Sequence, residues 1–293
     1  MTKAANKTVA ELLEITEIKR LLNPADNSKE YYEGLVDALE IIDYRRSFAK
    51  LSLVKIIVEH DQIPRFPLRN KGTQFIMVKS PTQTFSDEAR DRWIVPPELQ
   101  IVNGVSSDLG YGDAATPIRG VQLLEGQSVS MERLWLSLCR EAQYLNESKL
   151  RMIAPTVTGD FEHDLRAALT YKDKLAPRFG REHLTKAFIS ADMVKQALDL
   201  KPEPTGHGLQ DYGDLGTVYL DGRPIRLLTD QGRDPEHMVL SEKTLLLVGN
   251  PLYHGAYSER PVRVLEHDGE TVISRSVAMS ITDCTSVAWL KPE

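Results

Sequence analysis

Seven histidines, at positions 60, 163, 183, 207, 237, 254 and 267, are the side chains of this sequence best suited to moving protons or holding metal, and they are scattered singly. None has a second histidine at the spacing that would set two imidazoles on one helix turn as zinc ligands. One of them has carboxylates close by. Gly206-His207-Gly208 is followed by Asp211 and Asp214, and on a flexible loop these side chains could converge as a metal or acid–base site. That is the basis for reading the chain as a hydrolase, and it predicts a bound metal that is lost on His207→Ala. The plainer reading is a polar loop tip, in which glycine supplies positive φ and aspartate makes turns. A second cluster, Asp108-Leu109-Gly110-Tyr111-Gly112-Asp113, could cradle an anion on its backbone amides, but its two flanking carboxylates oppose this. A third, Asp87, Glu88, Arg90, Asp91 and Arg92, precedes Trp93. It reads as a solvated charged face or as a source of ion pairs across a subunit boundary. The motifs with a defined mechanism are missing: there is no Gly-Lys-Ser/Thr phosphate loop, no dinucleotide glycine fingerprint after a strand, and no Gly-x-Ser-x-Gly elbow. The expectation is a protein that is not an enzyme, with no catalytic, cofactor-binding or metal residues and no cofactor.

Composition narrows the class. The 293 residues suit one elaborate domain or two modest ones. An apolar share of 41% against 27% charged is globular and argues against wholesale disorder. The net charge of −6 disfavours a general nucleic-acid or membrane-surface binder, because phosphate contacts need a basic face. No run approaches the ~18 apolar residues that span a bilayer, and Met1 to Asn6 opens no apolar signal core. Cys139 and Cys284 each lie in an apolar run, which predicts reduced core thiols in a soluble protein.

Hydrophobic spacing then places the elements. Thr8 with Glu11 forms a capping box for a first helix that ends at Asn23-Pro24. Ser28 caps a second, with Tyr32, Leu35, Val36, Leu39 and Ile42 at helical steps and Arg45-Arg46 at its end. The pair reads as a hairpin packed on the main body or as an arm reaching a neighbouring subunit. Leu51 to Val58 is rich in β-branched residues and reads as a buried strand. From there to Gln127 the chain has many prolines and glycines, little helical periodicity, and short strand-like pieces at 74–78 and 101–102. Such a segment cannot offset its own ordering entropy, so it is either mobile or ordered by something outside the subunit. Ser130 caps a long helix reaching about Arg151, with Met131, Leu134, Trp135, Leu138, Cys139, Ala142 and Leu145 on its apolar face. Thr158-Gly159-Asp160 opens another, carrying Phe161, Leu165 and Leu169. Lys186 to Ile189 is a strand, and Ser190 caps a helix whose buried stripe is Met193, Val194, Ala197 and Leu198. Two hairpins follow, one around Asp221-Gly222 and one around His267-Asp268-Gly269, with a buried strand at 245–248 between them. The run from Val277 to Leu290 closes the chain as a last strand.

The order of these elements from Ser128 onward resembles the major capsid protein of tailed bacteriophages, a fold shared with encapsulin compartments. Ser130 to Arg151 resembles that family's spine helix, and Phe161 to Tyr171 the first helix of its axial domain. Ala187-Phe188-Ile189-Ser190-Ala191-Asp192-Met193 resembles the strand-then-helix step. Leu220-Asp221-Gly222-Arg223-Pro224-Ile225 and Lys243 to Gly249 resemble later axial strands. The resemblance covers about the C-terminal 165 residues of this sequence. It implies an α+β fold with an N-terminal helical arm (1–50), an extended loop with peripheral-domain strands (51–127), a spine helix (128–158), an axial domain (159–276) and a closing strand (277–293). It also implies a structural subunit forming the hexamers and pentamers of an icosahedral head. Such a head is a virion component assembled in the host bacterial cytoplasm, enclosing double-stranded DNA without sequence-specific contacts. Its partners would be further copies of itself, with scaffolding, portal or decoration proteins, and no membrane. The alternative with the same fold is an encapsulin-like shell around an enzyme cargo.

Overall fold

A computed structural model describes residues 47–58, 66–67, 76–77, 93–94, 98–106, 115–175, 185–204, 213–233, 238–260, 263–267 and 270–292. The two expected N-terminal helices therefore lie outside the described residues. In chain order the elements begin with α1 (Phe48–Ser52), β1 (Val54–Lys55), β2 (Phe66–Pro67), β3 (Ile76–Met77), β4 (Trp93–Ile94), β5 (Leu99–Ser106), α2 (Ala115–Ser148) and α3 (Phe161–Leu175). Next come β6 (Thr185–Ile189), a 3-10 turn at Ala191–Met193, α4 (Val194–Asp199), β7 (Asp214–Leu220), β8 (Arg223–Thr229) and β9 (Leu245–Val248). The chain ends with α5 (Pro251–His254), β10 (Gly255–Glu259), β11 (Arg263–His267), β12 (Glu270–Ile281), a 3-10 turn at Cys284–Ser286 and β13 (Val287–Trp289). The fold is α+β.

A five-stranded sheet in the order β13-β9-β6-β8-β7 is the centre of the molecule. Its strands alternate between two cores because successive side chains of a strand point to opposite faces. Ala187, Ile189, Ile225, Leu227, Leu245 and Leu247 face α3 and α4, meeting Phe161, Leu165 and Ala197. Phe188, Leu228, Leu246 and Val248 face the other way, onto Met131, Trp135 and Cys139 of α2 and Phe48 of α1. That second core also takes in Tyr257 of β10 and Val277, Met279 and Ile281 of β12. A second sheet runs β1-β10-β12-β11, with β3 and β5 also on β12. Strand β12 is long enough to serve two sets of neighbours: residues 270–277 pair with β5, and Val277 to Ile281 pair with β10.

The hairpin of β7 and β8 forms as the Asp-Gly dipeptide predicts. Asp221 and Gly222 both have positive φ, at 52° and 74°, the type of turn whose twist matches the flanking strands. Strand β9 is buried along its whole length, and α3 starts as expected. In its first turn the Phe161 amide donates to Gln196 Oε1 at 3.0 Å and the His163 amide to Asp160 Oδ1 at 3.1 Å, while the Asp164 carboxylate accepts from the amides of Thr158 and Gly159 just ahead of the helix.

Several expectations are corrected. Helix α2 begins at Ala115, not Ser130, and ends at Ser148, before Arg151, which sits in the left-handed region at φ 55°. Pro117 falls within its first turn, where the amide it lacks would have had no helical partner. The expected strand from Leu51 to Val58 is instead the end of α1 and the two-residue β1, and Ile57 is 89% exposed. Helix α1 forms there because Ser47 Oγ accepts from the Lys50 amide and Glu132 Oε1 accepts from the Phe48 amide at 3.0 Å. The closing run is not one strand. β12 ends at Ile281, a 3-10 turn follows, and β13 joins the other sheet beside β9. Leu198 points to solvent, while Met193, Val194 and Ala197 are buried as expected.

Candidate functional site

Four groups of buried polar side chains join distant parts of the described chain. The first is around His254, at the end of α5. The indole Nε1 of Trp135 donates to His254 Nε2 at 3.1 Å, and His254 Nδ1 lies 2.7 Å from Ser286 Oγ. An indole can only donate, so Nε2 carries no proton and Nδ1 holds it. The Ser286 hydroxyl in turn donates to the Asp283 carbonyl at 2.5 Å. The imidazole therefore gives its proton toward the hydroxyl and has no lone pair to act as a base on Ser286. Burial first, then the charges of Lys186 and Lys172, lower the His254 pKa to about 3, so the ring stays neutral. Chemically this is a neutral donor–acceptor bridge joining α2, α5 and the turn before β13.

Glu132 makes the second place. It is fully buried, and Arg233 reaches it with Nη1 at 2.5 Å from Oε2 and Nη2 at 3.2 Å from Oε1. The same guanidinium lies 4.6 Å above the Phe48 ring, where the ring face attracts a cation. One carboxylate thus caps α1 and fastens the loop after β8. At the third place, Glu259 of β10 receives Lys55 Nζ at 2.7 Å, Arg275 Nη1 at 3.0 Å and Lys50 Nζ at 3.1 Å. Burial alone would raise its carboxyl, but the charges of Lys50, Arg275 and Lys55 hold it below the usual carboxylate range. This carboxylate ties the start of the described chain to β12.

Asn146 forms the fourth place. Its Nδ2 donates to the carbonyls of Cys284 at 2.9 Å and Val287 at 3.1 Å, locking α2 to the last turn and strand. On the sheet, Lys186 of β6 stands in register with Arg226 of β8. Burial, and then that neighbouring charge, lower the Lys186 pKa to about 8.

Of the candidates drawn from sequence, Asp214 is held by Arg226, whose Nη2 and Nε reach its Oδ2 at 2.6 and 2.9 Å, while its Oδ1 accepts from the Gly216 amide. It is occupied in fastening β7 to β8. His207, Asp211, the cluster from Asp108 to Asp113 and the charged run from Asp87 to Arg92 lie outside the described residues. Among the described residues no three metal-ligating side chains gather, and no helix is long and apolar enough to cross a membrane. Cys139 and Cys284 are both buried thiols outside any disulfide, and burial pushes the Cys139 thiol up.

Sequence reasoning overlooked Glu132 and Asn146, although a signal was present. At helical steps from Trp135 and Cys139, positions 132 and 146 fall on the apolar face of α2, and a polar residue there must find a buried partner. No such signal existed for His254 or Glu259.

No family model and no curated protein matches the chain. Solved structures do resemble it. A virus-like particle from Pyrococcus furiosus is 14% identical with a TM-score of 0.46, covering 89% of this chain and 100% of its own. The capsid of the cyanophage P-SCSP1u is 10% identical at 0.46, with 84% and 88% covered. The procapsid of satellite phage P4, which includes the size-determination protein Sid, is 9% identical at 0.46, with 87% and 98% covered. The chain is similar to these capsid structures.

Proposed function

We propose that this chain is a structural shell subunit that self-assembles as hexamers and pentamers into an icosahedral phage head enclosing double-stranded DNA. The observation that carries the reading is the order of elements. The long helix α2, the helix α3, the strand-and-helix step of β6 and α4, the β7–β8 hairpin and β9 follow one another in the order that the capsid resemblance of the sequence implies. Three physical features support it. The ribbon of β5, β12 and β11 leaves the outer edges of β5 and β11 unpaired among the described strands, and such edges need covering or pairing. Second, the buried carboxylates Glu132 and Glu259 are each held by cations of the fold. Third, a net charge of −6 suits a wall that encloses DNA without gripping it. The head would be assembled in the host cytoplasm, with scaffolding, portal or decoration proteins as partners. Sedimentation of the purified full chain, before and after nuclease treatment, tests this. Fast-sedimenting particles are expected, with nuclease-protected DNA when they form in the presence of packaging proteins. DNA-free particles that retain a co-purifying enzyme would favour a cargo compartment, and a monomer that persists when a scaffolding partner is added would contradict the shell.

A further inference from the structure

From Val129 to Ser148, helix α2 buries most of its circumference, and the narrow stripe it leaves in solvent is made of hydrogen-bond donors. Arg133, Ser137, Arg140, Tyr144 and Ser148 are all exposed, and their steps of three and four keep them on one helix face. Lys149 and Arg151, also exposed, extend the positive charge past the helix end. Glu141 and Glu147 flank the stripe. Lys291 pairs with Glu147 at 3.0 Å, which leaves Glu141 as the flanking carboxylate outside an ion pair among the described residues. Arg133, Arg140, Lys149 and Arg151 set four cations against it.

The fold makes no use of these cations. Among the described residues Arg166, Arg223, Arg226, Arg233, Arg260 and Arg275 each reach a carboxylate, whereas Arg133, Arg140 and Arg151 reach none. Arg140 lies instead over the Trp289 ring at 5.2 Å. Stacking on a ring face holds the guanidinium in place and leaves the N–H groups at its edge for an anion. Arginine, serine and tyrosine, the residue types of the stripe, are all donors to phosphate oxygens in nucleic-acid complexes. The stripe is also straight, running about 22 Å from Arg133 to Ser148 at 1.5 Å per residue. A compact acidic group would meet one or two of its donors, whereas a duplex, with a charge about every 3.4 Å along each strand, offers anions along the whole line. The net charge of −6 argues against a basic molecule, but a phosphate contact needs only a local basic face, and this stripe is one.

We propose that this stripe, with Lys149 and Arg151, touches the phosphate backbone of double-stranded DNA and so marks the face that the subunit turns to the enclosed genome. The phosphate contact stands on the stripe itself, while the inward-facing placement rests on the shell reading. The contact is sequence-independent, and its strength lies in the non-specific range of about 10⁻⁴–10⁻⁶ M at physiological salt, so packaged DNA slides along the wall. Fluorescence anisotropy of a short labelled duplex of mixed sequence, titrated with the unassembled full chain, tests it. With four cations neutralising phosphates, log K should fall against log[salt] with a slope of about −3.6. Arg133→Glu/Arg140→Glu should halve that slope to about −1.8 and weaken binding roughly tenfold at about 50 mM salt. Lys195→Glu/Lys201→Glu makes the same change of net charge at exposed lysines in and just after α4, and should leave slope and affinity as in the native chain. Absence of binding by the native chain at about 50 mM salt, or equal losses in the two variants, would overturn the contact. If the native chain ignores the duplex and Arg133→Glu/Arg140→Glu stops particle formation, the stripe is a protein contact and the proposal fails. Sedimentation of native particles reads the shell separately, so a shell whose subunits ignore the duplex overturns this inference alone.

Discussion

Acid should weaken this fold through His254 in a way that a single substitution removes. The ring is fully buried, with Nε2 occupied by the Trp135 indole and Nδ1 directed at Ser286. A proton added to Nε2 would break the indole bond and place an uncompensated charge in a core that already feels Lys186 and Lys172. The folded pKa of about 3 lies below the unfolded value of 6.5. The contribution is therefore complete above pH 6.5 and falls as the pH drops toward 3, because the unfolded chain binds the extra proton first. From pH 7 to pH 5 the loss is about 2 kcal/mol, at 1.36 kcal/mol per pH unit below the unfolded pKa. His254→Gln keeps an acceptor for the indole but does not titrate. Urea unfolding of unassembled subunits at pH 7, 6 and 5 should show the native chain losing about 2 kcal/mol more than the variant over that interval. Carboxylates common to both cancel in the difference. Parallel pH profiles for the two proteins would refute the reasoning, since His254 would then titrate alike in both states.

Three other substitutions test the buried partners. Glu132→Leu leaves Arg233 without its anion and removes the α1 cap, at a cost of about 3–5 kcal/mol, and thermal unfolding of Glu132→Leu/Arg233→Leu should recover part of that loss. Asn146→Leu removes the side-chain donor shared by the Cys284 and Val287 carbonyls, the first of which keeps the Val287 amide, and should cost about 1–3 kcal/mol, read as a lowered urea midpoint. Gly255→Ala would place a Cβ 2.3 Å from the Ser280 carbonyl oxygen and 2.7 Å from Leu53 Cδ2. It should therefore disturb the β10–β12 ladder, visible as faster amide exchange at residues 278–281 than in the native chain.

What the sequence disclosed and what it hid divide along physical lines. The β7–β8 hairpin, β9 and α3 were legible because each rests on local chemistry: an Asp-Gly turn, an unbroken apolar run, aspartates at a helix start. The first half of α2 was hidden, since Pro117, Gly120 and Gly126 read as breakers. Yet a proline in the first turn and glycines inside a packed helix are tolerated at modest cost. Helix α1 was misread as strand because its cap, Glu132, lies 84 residues away. The same distance hid the buried polar clusters, where Trp135 meets His254 across 119 residues and Glu132 meets Arg233 across 101. A carboxylate's partner at that separation leaves no spacing to read, whereas the polar positions on the apolar face of α2 did leave one. Asp214 shows the converse. Its neighbour His207 suggested chemistry, while the residue that holds it, Arg226, sits one strand over.

The central claim is that copies of this chain close into a shell. Electron microscopy of the purified full chain, alone and with a scaffolding partner, tests it most directly. Closed particles of uniform size, or rings of five and six subunits, are the predicted result, and images showing only dispersed single subunits under both conditions would contradict it.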